Sequence, residues 1–267
     1  MNKDSRPLIR VVAGVVLNRD GDYLLSSRPE GKAYAGYWEF AGGKVEPSES
    51  EFEALQREFA EELGIRIHRA RPWLTKIHAY EHAHVHLRFF RVEADDWSGE
   101  LQAREGQQWS WQRAGDFDVS PMLPANGPLL AALAVPTELQ GSLQSGFHGA
   151  NRLGDYRVVP FTLAEPQHRR VLIGASELQR RGKLPEAESV WVALETAAQW
   201  RQVQDADVVV WQVADDAAAE AVCAVLADGV SLPLVVYAPQ YLLPRYQKRW
   251  HEAGAQAVVL NEETAQV

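Results

Sequence analysis

The chain has 267 residues, enough for one large domain or two of ordinary size, and 46% of them are hydrophobic. Acidic residues outnumber basic ones by 36 to 27, so the net charge of −9 argues against a general binder of nucleic-acid polymers. The apolar run Val11–Leu17 is too short to span a bilayer, and the single cysteine excludes an internal disulfide. We therefore expect a cytoplasmic protein without a membrane partner, and the sequence leaves a homodimer open.

The N-terminal half is predicted to place one long helix among several strands. Apolar and β-branched residues predict two strands joined as a hairpin by the turn at 18–21. Asn126-Gly127 predicts a turn, and Pro128 is a favoured residue for opening a short helix that runs to about Leu133. The predicted strands are Leu8–Leu17, Tyr23–Ser27, Arg66–Tyr80, His84–Val92 and Gln107–Gln112.

A helix is predicted from Ser48 to Leu63, because Ser48 can cap its start and Gly64 can end it in a left-handed conformation. At about 100° per residue, an apolar stripe can pack inward. Three acids at i, i+3 and i+4 gather on a neighbouring face, where their like charges repel unless a cation joins them. The stripe is formed by Phe52, Leu55, Phe59 and Leu63, and the acids are Glu58, Glu61 and Glu62.

The acids and the residues around them indicate phosphate chemistry. Mg²⁺ prefers oxygen ligands and commonly bridges carboxylates to substrate phosphates. Arg57 can hold one carboxylate by a bidentate pair, and Gly42-Gly43 lets the backbone approach a metal or a phosphate. This pattern predicts a metal-assisted attack on a phosphate anhydride. The alternative is an acidic helix face that is simply solvated.

The segment GKVEPSESEFEALQREFAEELGI, residues 43–65, resembles the Nudix box, the signature of the Nudix hydrolases. The resemblance covers residues 1 to about 135 and implies an α/β/α sandwich around a mixed sheet. The flanking segments 37–44, 104–107 and 124–128 resemble the MutT branch, which hydrolyses nucleoside triphosphates such as 8-oxo-dGTP. Ala41 stands where that branch usually has proline, so we expect altered stiffness of this turn.

The resemblance implies a role for each matching residue. The metal ligands are expected to be Glu58, Glu61, Glu62, the carbonyl of Gly42, and Glu105, with Mg²⁺ as the cofactor and Mn²⁺ as an alternative. Glu105 or a box glutamate is expected to act as general base, and Arg57 to orient the acids. Arg28 is expected to contact phosphate or base, Phe40 to lie at the base pocket, and Asn126 to read the purine edge. Each of these last three also has a structural interpretation, as a loop arginine, a core aromatic and a helix cap.

The resulting hypothesis is an Mg²⁺-dependent pyrophosphohydrolase that converts a nucleoside triphosphate and water to the monophosphate and pyrophosphate. Oxidised guanine nucleotides are the expected substrates, as in sanitation of the nucleotide pool for DNA repair. Two alternatives remain open, a nucleotide-sensing module and a hydrolase of another nucleoside diphosphate derivative. A zinc site at His78, His82, His84 and His86 is disfavoured, because these residues lack an acid or cysteine in tetrahedral spacing.

Residues 136–153 carry several Gly and Ser with little periodicity and are predicted to be a linker. A second domain of small α/β type with mainly parallel strands is predicted over 154–267. Its apolar runs, including Val171–Gly174 and Leu234–Ala238, resemble strands of the thiamine-phosphate synthase family. A full barrel of eight strand-helix units takes at least roughly 200 residues, so we expect a truncated, non-catalytic unit instead of a complete barrel.

Overall fold

The protein is described by a computed structural model covering residues 8–79 and 84–261. The chain divides into two compact units, Met1–Leu130 and Ala131–Val267. None of the described helices is both long and apolar enough to cross a membrane.

The strands of the first unit are β1 (Leu8–Val16), β2 (Tyr23–Ser27), β3 (Trp38–Glu39), β4 (Gly42–Lys44), β5 (Arg66–Ile67), β6 (Arg71–Ala79), β7 (His84–Val92), β8 (Trp97–Ser98) and β9 (Trp109–Gln112). A mixed sheet has the strand order β4-β1-β7-β6, in which β1 is parallel to β7 and antiparallel to β4. A second sheet has the order β3-β2-β9, and β5 pairs with β8. The α/β class with a mixed sheet is therefore confirmed.

The predicted turn at 18–21 is present, since the Gly21 amide donates to the Asn18 carbonyl at 3.0 Å and an antiparallel bridge joins Leu17 to Tyr23. β1 and β2 nevertheless belong to different sheets, so the hairpin does not continue beyond this bridge. Pairing of β1 with β7 and β4 instead satisfies both of its edges. Tyr80 and His82, which the sequence analysis assigned to a strand and to the histidine group, lie outside the described residues.

Helix α1 (Glu51–Leu63) begins three residues later than predicted. Ser48 has φ 76°, a left-handed conformation that cannot begin a right-handed helix, so Ser50 becomes the cap. Its hydroxyl accepts from the Glu53 amide at 3.2 Å, and the Glu53 carboxylate accepts from the Ser50 amide at 2.7 Å. This reciprocal capping box fixes the first turn. Gly64 ends the helix with φ 71°, as predicted.

The apolar stripe of α1 packs into the core of the first unit. Leu55, Phe59 and Leu63 are fully buried, and Phe52 packs against the same cluster while partly exposed. Phe59 also lies against Gly14 of β1, where a Cβ atom would overlap its ring. The helix is thereby fixed on the sheet with its acidic face turned away from the core. A 3₁₀ turn at Pro124–Asn126 leads into α2 (Gly127–Leu133), one residue from the predicted start.

The second unit is a closed eight-stranded barrel in the order β10 to β17. β11 is antiparallel to both of its neighbours, and the other pairings are parallel, including the closing pair of β10 with β17. The elements are β10 (Glu138–Ser142), β11 (Gly146–Asn151), β12 (Gly154–Pro160), β13 (Arg170–Gly174), α3 (Ala175–Arg181), β14 (Ser189–Leu194), β15 (Val208–Gln212), α4 (Asp216–Asp228), β16 (Leu234–Ala238), α5 (Leu243–Ala253) and β17 (Ala257–Asn261).

Two predictions for this half are wrong. Residues 136–153 contain β10 and β11 instead of a linker, and the barrel is closed. Closure needs eight paired strands but not eight helices. Short turns connect β10, β11 and β12, and a 3₁₀ turn at Ala197–Gln202 lies between β14 and β15, so the ring closes in far fewer residues than a full strand-helix barrel. The mainly parallel α/β character is confirmed.

The barrel interior is filled by apolar side chains, with Trp191 fully buried among Phe147, Tyr156 and Leu172. A cavity of about 190 Å³ lies where β12 to β15 reach their carboxyl ends. Leu143, Glu177, Glu195 and Gln212 are among its lining residues.

Candidate active site

Arg57 is the centre of a carboxylate network on α1. Its Nη2 donates to Glu49 Oε1 at 2.7 Å and its Nε to Glu49 Oε2 at 3.2 Å, a bidentate pair. Its Nη1 donates to Glu58 at 2.9 Å and to Glu61 at 3.3 Å, while Nη2 also reaches the Lys44 carbonyl at 2.9 Å. These bonds raise the pKa of Arg57, with the Glu49 pair contributing most, and lower the pKa of Glu49. Arg57 therefore joins α1 to β4 and contacts Glu58, while its role in orienting the acids for the reaction stays a prediction.

The glycines of β4 allow the acids of α1 to lie directly on this strand. A Cβ atom at Gly43 would overlap the Glu58 carboxylate, and one at Gly42 would overlap the Val12 carbonyl. Gly42 has φ 153°, which also favours glycine. The backbone of β4 and the Glu58 side chain are thus packed against each other with no intervening side chain.

The side chain of Glu62 is largely buried in the site. Its side chain is 15% exposed, whereas that of Glu61 is 58% exposed. Burial raises the pKa of Glu62 to about 7; Lys32 opposes this, and the charges of Glu58, Glu105 and Glu39 reinforce it. The carboxylates of Glu58 and Glu105 therefore lie close enough to Glu62 to disfavour its ionisation.

Lys32 partly neutralises this group. Its Nζ lies 2.7 Å from Glu105 Oε2 and 3.8 Å from Glu62 Oε1. The hydrogen bond to Glu105 is the main cause of a raised pKa at Lys32. Lys32 thus connects an acid of α1 with an acid of the loop that precedes β9.

Gln107 positions the loop that carries Glu105. This side chain is 5% exposed; its Nε2 donates to the Glu62 carbonyl at 2.6 Å, and its Oε1 accepts from the Glu105 amide at 2.8 Å. Arg104 adds a bond from its Nη1 to the Ala60 carbonyl at 2.8 Å. The end of α1 and the Glu105 loop are therefore held together through backbone groups.

Arg28 contacts protein groups in this structure. Its Nη1 donates to both oxygens of Glu39 at 2.6 and 2.8 Å, and its Nε donates to the Ala33 carbonyl at 2.6 Å. Burial raises the pKa of Glu39, and the Arg28 charge opposes this rise. The geometry gives Arg28 a structural role in the loop between β2 and β3, while its contact with phosphate or base stays a prediction.

Phe40 and Asn126 are both buried, at 3% and 4% exposure. Phe40 packs edge to face against Phe89, with ring centroids 6.2 Å apart, so it belongs to the core whether or not it also borders a base pocket. The segment before Asn126 pairs with β3, through the Leu123 amide and the Trp38 carbonyl at 3.0 Å. Among the described residues, the buried Nδ2 of Asn126 has no hydrogen-bond partner. An unpaired buried donor is costly, so this amide suits an acceptor supplied by a ligand.

The donor set fits a hard divalent cation in its chemistry. Glu58, Glu61, Glu62, Glu105 and the Gly42 carbonyl offer only oxygen, which Mg²⁺ and Mn²⁺ prefer. Within residues 8–79 and 84–261, no three such side chains are already arranged around one point, because the acids face Arg57 and Lys32. The structure brings Glu58, Glu62 and Glu105 together electrostatically, and it leaves Glu61 at the exposed edge.

The N-terminal half of the chain is similar to known proteins. A model of the NUDIX domain matches residues 12–132. The CTP pyrophosphohydrolase of Escherichia coli K12 is 42% identical over 125 residues, which are 47% of this chain and 90% of that protein. An 8-oxo-dGTP diphosphatase of Haemophilus influenzae is 35% identical over 128 residues, covering 48% of this chain and 93% of that protein. The solution structure of the E. coli ORF135 protein is 41% identical, covers 48% of this chain and 89% of that chain, and has a TM-score of 0.42.

The chain belongs to the Nudix hydrolase family. It is an enzyme, and the match to the family model covers most of the first unit and ends within α2, at residue 132. The barrel strands begin after this match, at Glu138.

Sequence reasoning assigned no role to Lys32 or Gln107. Both lie in loops that are distant in sequence from α1, so no local periodicity connects them to its acids. In the sequence, Lys32 is only a charged residue after a glycine, and Gln107 is only a polar residue just before a strand. Their contacts with Glu105 and with the Glu62 carbonyl are seen only in the folded structure.

Proposed function

We propose that the protein is a divalent-metal-dependent nucleoside triphosphate pyrophosphohydrolase that acts on oxidised guanine nucleotides such as 8-oxo-dGTP. The observation that carries this proposal is the group of Glu58, Glu62 and Glu105, crowded at the end of α1 and held by Arg57 and Lys32. Crowded carboxylates beside a glycine backbone suit a cation that also binds phosphate oxygens. Because nucleoside triphosphates are made and used there, a cytoplasmic location belongs to the same proposal.

When bound, Mg²⁺ would neutralise phosphate oxygens and lower the pKa of an attacking water. Glu58, Glu62 and Glu105 would hold it, with Arg57 fixing the Glu58 carboxylate. In the reaction, a water oxygen bonds to phosphorus and the α–β anhydride bond breaks, giving the monophosphate and pyrophosphate. Glu105 is 39% exposed and lies on the solvent side of the group, where it can accept the water proton.

Asn126 supports recognition of the base. Its unpaired Nδ2 is a donor that an acceptor on a base edge can satisfy. A carbonyl oxygen of an oxidised guanine provides such an acceptor, and so do the acceptors of cytosine. The second candidate substrate is therefore CTP, because the relative that is 42% identical carries that activity in its name.

A substrate panel tests the proposal on the full-length protein. Pyrophosphate release is measured with 8-oxo-dGTP, dGTP, CTP and a nucleoside diphosphate sugar, with and without EDTA. We expect metal-dependent turnover with the highest kcat/KM for 8-oxo-dGTP. A preference for CTP or for the sugar nucleotide would move the assignment to that substrate, and tight nucleotide binding without hydrolysis at any divalent concentration would favour a sensing module.

A further inference from the structure

The backbone around Lys32 is held by contacts that involve neither Glu62 nor Glu105. In the loop between β2 and β3, the Arg28 amide donates to the Tyr37 carbonyl at 2.8 Å, and the Gly36 amide returns to the Arg28 carbonyl at 2.9 Å. The Arg28 guanidinium closes this loop on the Ala33 carbonyl and on Glu39. These contacts of the loop do not depend on the Lys32 side chain.

The Lys32 ammonium occupies the space between Glu62 and Glu105. It lies 2.7 Å from one carboxylate and 3.8 Å from the other, while its own side chain is 47% exposed. A cation shared by these two acids would have to lie in the same space. The ammonium and a divalent cation therefore compete for one position.

Lys32 and Arg57 hold their acids in different ways. Arg57 is fixed by bonds to Glu49, Glu58, Glu61 and the Lys44 carbonyl, so it cannot leave without breaking all of them. Lys32 is a hydrated point charge on a flexible four-carbon stem with one short contact. An exposed ion pair of this kind contributes little to stability, so displacing Lys32 from Glu105 costs little free energy.

We propose that Lys32 is a positioning residue that holds Glu62 and Glu105 together before metal binds and is displaced by the divalent cation. This inference rests on the proposed function, because it places that cation at Glu62 and Glu105. Lys32 is then a built-in competitor of the metal, and it limits metal affinity in the absence of nucleotide.

The test measures Mn²⁺ binding to the full chain without nucleotide, from the electron paramagnetic resonance signal of free Mn²⁺. Lys32→Met keeps the stem and removes the charge, Lys32→Arg keeps the charge, and Arg66→Gln removes a more distant exposed charge of the same unit. We expect Lys32→Met to lower the Kd by about fivefold, which corresponds to about 1 kcal/mol. Lys32→Arg should restore most of the difference, and Arg66→Gln should change the Kd by less than about twofold.

A second measurement separates this role from a structural one. Without metal, Lys32→Met should melt below wild type, because Glu62 and Glu105 lose their counterion; at saturating Mn²⁺ the two should melt together. An unchanged or weaker affinity in Lys32→Met, or an equal gain in Arg66→Gln, would overturn the inference. Absence of Mn²⁺ binding in every variant would overturn the proposed function as well. Tighter Mn²⁺ binding by Lys32→Met, with no hydrolysis of any nucleotide in the substrate panel, would overturn the proposed reaction and leave the role of Lys32 standing.

Discussion

The two units of the molecule use charged residues differently. In the first unit, Arg57 and Lys32 join acids from separate elements at a site that packs on the glycines of β4. In the barrel, the ion pairs Arg249–Glu220 and Arg169–Glu188 lie on exposed surface, and the interior is an apolar cluster around Trp191. In the first unit, repulsion between crowded carboxylates is unfavourable for the folded state. In the barrel, burial of apolar side chains stabilises the folded state. This difference distinguishes a site of crowded acids from a ring whose interior is apolar.

The largest expected effect follows from the barrel core. Trp191→Ala should lower the free energy of unfolding of the barrel by about 3–5 kcal/mol, because it removes a fully buried aromatic side chain. Calorimetry and urea titration measure this loss. If the two units are as separate in their roles as their charges indicate, kcat/KM should stay near wild type below the melting temperature. A loss of hydrolysis by folded Trp191→Ala protein would contradict that separation.

The next effect concerns the acid group. Glu62→Gln should lower kcat by at least about a hundredfold, because the amide cannot supply the charge that holds the cation. The matched control is Glu100→Gln, an exposed acid of the same unit, which should retain activity. Pyrophosphate release with saturating Mg²⁺ measures both variants. Full turnover in Glu62→Gln would remove this residue from the site.

A smaller effect is expected at the base. Asn126→Ala should reduce the preference for 8-oxo-dGTP over dGTP by about tenfold, since paired hydrogen bonds to a base edge contribute about 1–3 kcal/mol of discrimination. The comparison of kcat/KM for the two nucleotides measures this change. Mn²⁺ affinity without nucleotide is the control and should not change. An unaltered preference would leave Asn126 as a buried residue of the 3₁₀ turn before α2 with no part in base recognition.

The smallest effect is a pH dependence. The pKa of Glu62 is raised from 4.5 to about 7 in the folded, metal-free protein, so the folded state binds its proton more tightly than the unfolded state. Glu62 therefore favours folding below about pH 4.5, and this contribution falls as the pH rises towards 7. The melting temperature of wild type relative to Glu62→Gln should decline across that window without metal, and saturating Mg²⁺ should abolish the decline. A flat difference would show that Glu62 is not perturbed.

The sequence predicted best what depends on short spacing. Glu58, Glu61 and Glu62 lie on one helix that ends at Gly64, and Arg57 contacts Glu58 and Glu61, because each of these relations is set within one or two turns. The observed start of α1 differs from the predicted one, because Ser48 has a left-handed backbone conformation and Ser50 caps the helix instead. Local pattern cannot distinguish two serines so close together without their backbone angles.

Relations between distant segments could not be predicted in this way. Lys32 meets Glu105 across 73 residues, and the barrel closes through pairing of Glu138–Gly141 with Val258–Asn261. Strand β11 contains Gly146 and Gly149, and these glycines led to the prediction of a flexible linker in place of a strand. A Cβ atom at either glycine would overlap a backbone carbonyl, so close approach of strands, and not flexibility, explains these residues.

The reversed direction of β11 gives the two short turns of the barrel opposite positions. The turn after β10, at 143–145, lies at the end where the parallel strands finish, and Leu143 lines the cavity there. The turn after β11, at 152–153, lies at the other end and exposes Leu153. A peptide tag inserted at 152–153 should leave the cavity intact, whereas exchanging 143–145 would reshape its wall, so the barrel can be labelled and remodelled independently.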